Sequence, residues 1–215
     1  MSELHDYALT ILSSCTDGQQ AFLMLSNNFI NRQGIEKLNA WLQNTDFFTA
    51  PASTRFHGAY PGGLVEHSIN VAMHLFDLYD KFPQMFGISE ELAKESLALV
   101  ALYHDVCKAN FYKIGTKNQK NEQTGKWEKV PFYQIEDKLP YGHGEKSVYL
   151  IEHFVRLKTA EAMAVRWHMG AFDADGVKLN TLSQAFDEYP LSFFLHTADM
   201  MANHFTEKKG NESEK

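Results

Sequence analysis

Apolar and polar positions recur with two different periods along this chain. Over residues 4–13, 19–27 and 33–43 apolar side chains return every three or four positions, which predicts three short helices. Asp17-Gly18 and Asn31-Arg32 supply the turns between them. Residues 44–63 lack a period and carry Pro51, Pro61 and Gly62-Gly63, so they read as a long loop. A fourth helix is expected over 64–79, ending before Pro83. Ser89-Glu90-Glu91 then sets a capping residue ahead of two acids that suit the positive end of a helix dipole. That fifth helix is expected to run to about Lys108 through the apolar stretch 97–103. Residues 111–120 and 126–135 change to an aromatic, partly alternating pattern around a Gly-containing loop, which predicts a β-hairpin. Pro131 makes that hairpin an edge. Helical spacing resumes at 145–157, 160–169, 181–187 and 190–206. The expected organisation is N-terminal helices over 1–50 packed on a core domain of 51–206, then a disordered polar tail at 207–215.

Composition narrows the class. The chain has 215 residues, 44% hydrophobic and 22% charged, which excludes a disordered, collagen-like or membrane-spanning protein. Two cysteines, Cys15 and Cys107, are too few for a disulfide framework and point to a reducing, cytoplasmic setting. Residues 1–7 include Glu3 and Asp6 and do not read as a signal peptide. The net charge of -7 argues against general polyanion binding. Residues 106–140 depart from this, with seven lysines against four acids. This basic island makes the hairpin, with Lys117 on it, a candidate contact for single-stranded nucleic acid.

Ten histidines are the compositional oddity. His104 and Asp105 are adjacent, late in the fifth predicted helix; His67 precedes them, and His143, His168 and Asp199 follow. Imidazole nitrogen and carboxylate oxygen are the usual donors for Mn, Fe, Co, Ni and Zn. Four imidazoles and two carboxylates suffice for two ions if one carboxylate bridges. Asp105 suits that role, because each of its oxygens can take one ion at a spacing of about 3.5–4 Å between metals. Any one of these histidines alone reads as a surface or core residue. The ordered set and its surroundings carry the argument. Two glycines shortly precede His67, two flank His143, and Asp199 lies in an apolar segment where an unpaired charge is costly.

The segments GGLVEHS at 62–68, HDVCK at 104–108, GHGEKS at 142–147, RWHMG at 166–170 and HTADM at 196–200 resemble the HD superfamily of metal-dependent phosphohydrolases. In spacing and in the Gly-His motif the chain looks most like the 3′-to-5′ exoribonuclease-type HD proteins of bacteria. The resemblance implies an all-α fold, an HD-domain helical bundle with the metals at its centre, here with a β-hairpin insertion at about 111–138. It implies that His67, His104, Asp105 and Asp199 bind one metal, and Asp105, His143 and His168 a second. Both would be divalent transition metals, Mn, Fe, Ni or Co, with Mg and Zn also compatible. Two departures stand out. Val106-Cys107 stand where Ile-Gly is common, and the residues ahead of the site read as helices, not as the OB-type domain that the exoribonucleases carry.

Lys108, one helical turn after His104, is a candidate phosphate contact; the ordinary alternative is a helix-end lysine. Arg55 and His57 in the loop before His67, and Lys146 three residues after His143, are further candidate substrate contacts, each with a plain structural alternative. The hairpin aromatics are expected mostly to pack it on the bundle, and Cys107 reads as a small buried hydrophobe. The leading expectation is hydrolysis of a phosphomonoester or phosphodiester on nucleotides or nucleic-acid ends. Two metals would activate water, Asp105 and Lys108 would act catalytically, and the partner would be a phosphorylated small molecule or a nucleic-acid end, with no membrane. The same ligand set also looks like that of HD-type di-iron oxygenases, and a non-catalytic nucleotide- or nucleic-acid-binding HD module would retain it. The ligands alone leave those alternatives, the substrate and the oligomeric state open.

Overall fold

Helix α5 (Glu90–Tyr103) is the axis of the fold, because residues 96–103 are buried on every side. A helix apolar all round has to lie inside the protein. The computed structural model describes residues 3–173 and 179–207. Ahead of α5 come α1 (Leu4–Leu12), α2 (Gly18–Phe29), α3 (Ile35–Gln43) and α4 (Gly63–Lys81). After it come a hairpin of β1 (Tyr112–Lys120) and β2 (Trp127–Ile135), then α6 (His143–Glu152), α7 (Thr159–Trp167), α8 (Leu179–Glu188) and α9 (Pro190–Met201). A π-helical turn, Ala202–Thr206, extends α9. Helices α2, α4 and α7 pack against α5, α9 covers α4 and α7, and α6 lies on α7. Phe22 of α2 meets Tyr103 edge-on at 5.1 Å, and Phe29 stacks on Phe76 at 4.8 Å, which joins the N-terminal helices to the same core.

Helix α5 stops at Tyr103, short of the expected Lys108, and a 3₁₀ turn covers Val106–Lys108. Asp105, at φ -106° and ψ 19°, is where the chain leaves α-helical geometry. Neighbours on a continuous α-helix diverge by about 100°. The break lets consecutive residues His104 and Asp105 point into one interior space, with His104 Nε2 and Asp105 Oδ2 3.6 Å apart.

Two glycines matter to the approach of the helices. A Cβ on Gly63 would lie 2.0 Å from the Gly58 carbonyl oxygen, so only glycine lets the loop close on α4 one turn before His67. A Cβ on Gly144 would lie 2.1 Å from the Arg166 carbonyl oxygen. Its absence brings the start of α6 against the end of α7, and with it His143 beside His168.

The hairpin is an antiparallel ribbon in which Tyr112 faces Ile135 and Lys120 faces Trp127. Asn121 turns the loop by accepting from the amides of Gln123 and Thr124. With two strands both are edges, so Pro131 interrupts no interior ladder. Phe111, Tyr112, Phe132 and Tyr133 are half-buried, and Trp127, at 71% exposed, is the one of these five hairpin aromatics that stands out in solvent. The expected tail begins with a buried residue, Glu207; residues 208–215 lie outside the described ones. No helix among the described residues is long and apolar enough to cross a membrane.

Candidate metal centre

Asp105 is buried, and its two oxygens face different neighbours. Oδ2 lies 3.6 Å from both His67 Nε2 and His104 Nε2, and accepts from Lys108 Nζ at 2.6 Å. Oδ1 accepts from His143 Nε2 at 2.7 Å and lies 3.4 Å from His168 Nε2. Asp199 Oδ1 stands 3.3 Å from His67 Nε2 and is held by the Asn203 side-chain amide at 2.9 Å. The six residues therefore come from α4, the turn after α5, the start of α6, the end of α7 and α9, and they meet in one buried space.

The outer nitrogen of three imidazoles is already committed. A carbonyl oxygen can only accept, so Nδ1–H of His104 donates to Ala101 O (2.8 Å) and that of His168 to Val165 O (2.7 Å). His67 Nδ1–H donates to the Glu207 carboxylate at 2.8 Å. Each of these three rings then directs Nε2 inward. His67 Nε2 and His104 Nε2 are 3.1 Å apart, and His168 Nε2 is buried with no hydrogen-bond partner. Nitrogens aimed at one another and at two carboxylates, with outer N–H groups tied to oxygen, are the arrangement expected of metal-ligating histidines. The residues present fit divalent cations.

The electrostatics agree. Burial, together with the charges of His168 and His67, lowers the His104 pKa to about 3, so its Nε2 keeps a lone pair. Burial also disfavours charge on His67, but hydrogen bonds and charge from Asp199 and Glu207 outweigh it and raise the pKa to about 10. A proton on His67 thus offsets negative charge where a cation would. Burial opposes ionisation of Asp105, yet the charge of Lys108 and the hydrogen bond from His143 hold it well below the usual carboxylate range.

The other expected site residues are dispersed. Lys108 is inside the cluster through its pair with Asp105. His57 borders it, with its ring centroid 5.3 Å from that of His67. Burial, then the charge of His67, lowers the His57 pKa to about 4. Arg55 is exposed and lies over the Phe56 ring. Lys146 is engaged by Asp137 instead of by the six residues: its Nζ pairs with that carboxylate at 2.5 Å above the Phe111 ring, because Asp137 arrives beside α6 from the base of the hairpin. Lys117 is exposed on β1, nearest the Phe132 ring.

Two residues escaped the sequence reading. Glu207 opens the stretch expected as a polar tail, yet it orients His67 from 140 positions away; its single local signal is being the first charged side chain after the last helix. Cys107, read as a hydrophobe, lies 3.4 Å from His143 Nδ1 and groups with Asp105 and His143.

A family model described as HD domain matches residues 64–204. Over 63 residues the chain is 35% identical to dihydroneopterin 2′,3′-cyclic phosphate phosphodiesterase of Methanocaldococcus jannaschii. That match covers 29% of this chain and 24% of the relative, so it spans about a quarter of the relative's length. No solved structure matches the chain significantly.

Proposed function

The chain belongs to the HD-domain family, and from that premise we propose that it is a metal-dependent phosphohydrolase of nucleotides or nucleic-acid ends, with small phosphodiesters as its first substrate class. One observation carries the reading: the oxygens of Asp105 face two different histidine pairs, His67 with His104 and His143 with His168. We assign His67, His104, Asp105 and Asp199 to one divalent cation and Asp105, His143 and His168 to another, of the Mn, Fe, Co or Ni type. When bound, such ions supply polarisation of phosphoryl oxygens and acidify water.

The protein's own part is orientation and charge. Ala101 O, Val165 O and Glu207 hold the Nδ1 protons of His104, His168 and His67, so these three imidazoles need not reorient on binding. Lys108 Nζ, beside Asp105 Oδ2, is placed to pair with a phosphate oxygen once Asp105 is engaged by cations. His57 lines the same side from the loop after Pro51. The relative's name concerns a 2′,3′-cyclic phosphate ester, which supports beginning with small cyclic and diester substrates. We read residues 51–206 as the hydrolase unit, 1–50 as helices packed on it, and the hairpin as a lid beside the metal site, not a track for a strand.

The test is turnover of a 2′,3′-cyclic nucleotide, a nucleotide panel and a short single strand by Mn²⁺-loaded protein across a salt series, with Lys117→Ala/Lys120→Ala alongside. Hydrolysis of a small ester, little affected by salt or by the lysine changes, is expected. A strand preference lost in high salt or in the double variant would make the hairpin a nucleic-acid guide. A protein carrying two metal equivalents that hydrolyses no ester would end the phosphohydrolase reading.

A further inference from the structure

We propose that Cys107 Sγ is a ligand of the cation assigned to Asp105, His143 and His168, giving that position a mixed nitrogen, oxygen and sulfur donor set. The inference rests on the proposed cation at that position.

Cys107 is 2% exposed, in the 3₁₀ turn that follows Asp105. Its backbone N–H donates to Ser147 Oγ at 3.3 Å, one turn along α6 from His143, so one helix positions both side chains. The sulfur lies beside the edge of the His143 ring, 3.4 Å from Nδ1 and 3.7 Å from Nε2. Sγ, an Asp105 oxygen and a His143 nitrogen all fall within 4.8 Å of one another. A second observation points independently to a ligand. His168 Nε2, fully buried and without a hydrogen-bond partner, is aimed at the Asp105 oxygen that also meets His143.

Two of the distances suit donors to one cation: metal–sulfur and metal–nitrogen bonds of about 2.3 Å and 2.0–2.1 Å, set about 110° apart, make the sulfur–nitrogen edge about 3.6 Å and a nitrogen–oxygen edge about 3.3 Å. The observed edges are 3.7 Å for Cys107 Sγ to His143 Nε2 and 3.4 Å for His168 Nε2 to Asp105 Oδ1. The 2.7 Å edge between His143 and Asp105 is a hydrogen bond here and widens when a cation replaces its proton. The Cys107 thiol proton leaves to water as the metal–sulfur bond forms, with no change of oxidation state. A thiolate donor shifts preference from Mg and Mn toward Zn, Fe(II) and Co. Cys107 is thus a metal-selecting residue.

The experiment is Co²⁺ titration of the full chain, reading bound cobalt by metal analysis and the near-ultraviolet sulfur-to-cobalt charge-transfer band. The band should appear in the unmodified protein and in Cys15→Ser, and vanish in Cys107→Ser while cobalt still binds. The preference of Cys107→Ser for Zn over Mn should fall by about tenfold or more. If that variant fails to fold, zinc X-ray absorption of the unmodified chain decides: a sulfur scatterer at about 2.3 Å supports ligation, and a shell of nitrogen and oxygen alone overturns it. Two bound cobalt ions without the band would also overturn it, leave the two-metal reading standing, and make the sulfur only a neighbour of the His143 ring. Failure to bind cobalt at all would overturn both.

Discussion

Two buried polar regions meet at the end of α5, and they are completed differently. In the first, Tyr103 Oη donates to Asn39 Oδ1 at 2.5 Å and lies 2.7 Å from Ser26 Oγ, while Asn39 Nδ2 donates to that same Oγ at 3.0 Å. Further back along α5, Arg32 pairs with Glu95 at 2.6 Å and Glu161 at 2.7 Å, and Ser96 donates to Glu161 at 2.6 Å. Donors and acceptors close on one another, and the result ties the N-terminal helices to α5 and α7. One residue beyond Tyr103 the second region begins. There two Nε2 atoms lie 3.1 Å apart and a third has no partner. Burial of polar groups therefore does not mark a site by itself. Imidazole nitrogens and carboxylate oxygens that converge on one space do, here with one of them, His168 Nε2, left without a partner, because a buried acceptor without a partner is costly unless something else supplies the positive charge.

The comparison breaks most visibly at Asp105. Asp105→Ala should reduce bound metal from two equivalents to one or none and take turnover to background, with helical content by circular dichroism retained. Two full equivalents in the variant would remove Asp105 as the shared ligand.

Arg32→Met addresses the completed region. It leaves half-buried Glu95 without Arg32 and buried Glu161 with only the more distant Lys158 Nζ, at 3.6 Å, and should cost about 3–5 kcal/mol in urea unfolding. Metal bound per folded molecule should stay unchanged; a folded variant that loses its metal would erase the division between the regions. The effect has a pH signature. Burial disfavours charge on Glu161, but hydrogen bonds from Arg32 and Ser96 outweigh it and lower its pKa from 4.5. Its contribution is therefore present above that ordinary value and lost as pH falls through the lower, folded one. The stability gap between the two proteins should narrow in acid.

Lys108→Ala sharpens the boundary from inside the site. Lys108 pairs with Asp105, yet it contributes no metal-ligating atom in the assignment above, so metal content should persist. Loss of a charge-assisted phosphate contact, about 1.5–3 kcal/mol, should reduce kcat/KM by roughly 10- to 150-fold. Unchanged kinetics on every ester hydrolysed would place Lys108 outside the substrate site.

Periodicity along the chain determined the helical segments and the two-stranded hairpin, since backbone geometry and one-sided burial are imposed locally, every two or 3.6 residues. Residue chemistry in order, with glycines beside His67 and His143, singled out the six histidines and aspartates that the fold brings together. Only the tertiary structure decided where α5 ends, because an unbroken helix and a broken one share the apolar run through Tyr103. It alone brought Glu207 to His67, set Cys107 beside His143, and turned Lys146 toward Asp137 instead of the cluster. The orientation of a charged or sulfur-bearing side chain is set by whichever partner arrives across space. That partner can stand one turn away, as Asp105 does for Lys108, or 140 residues along the chain, as Glu207 does for His67.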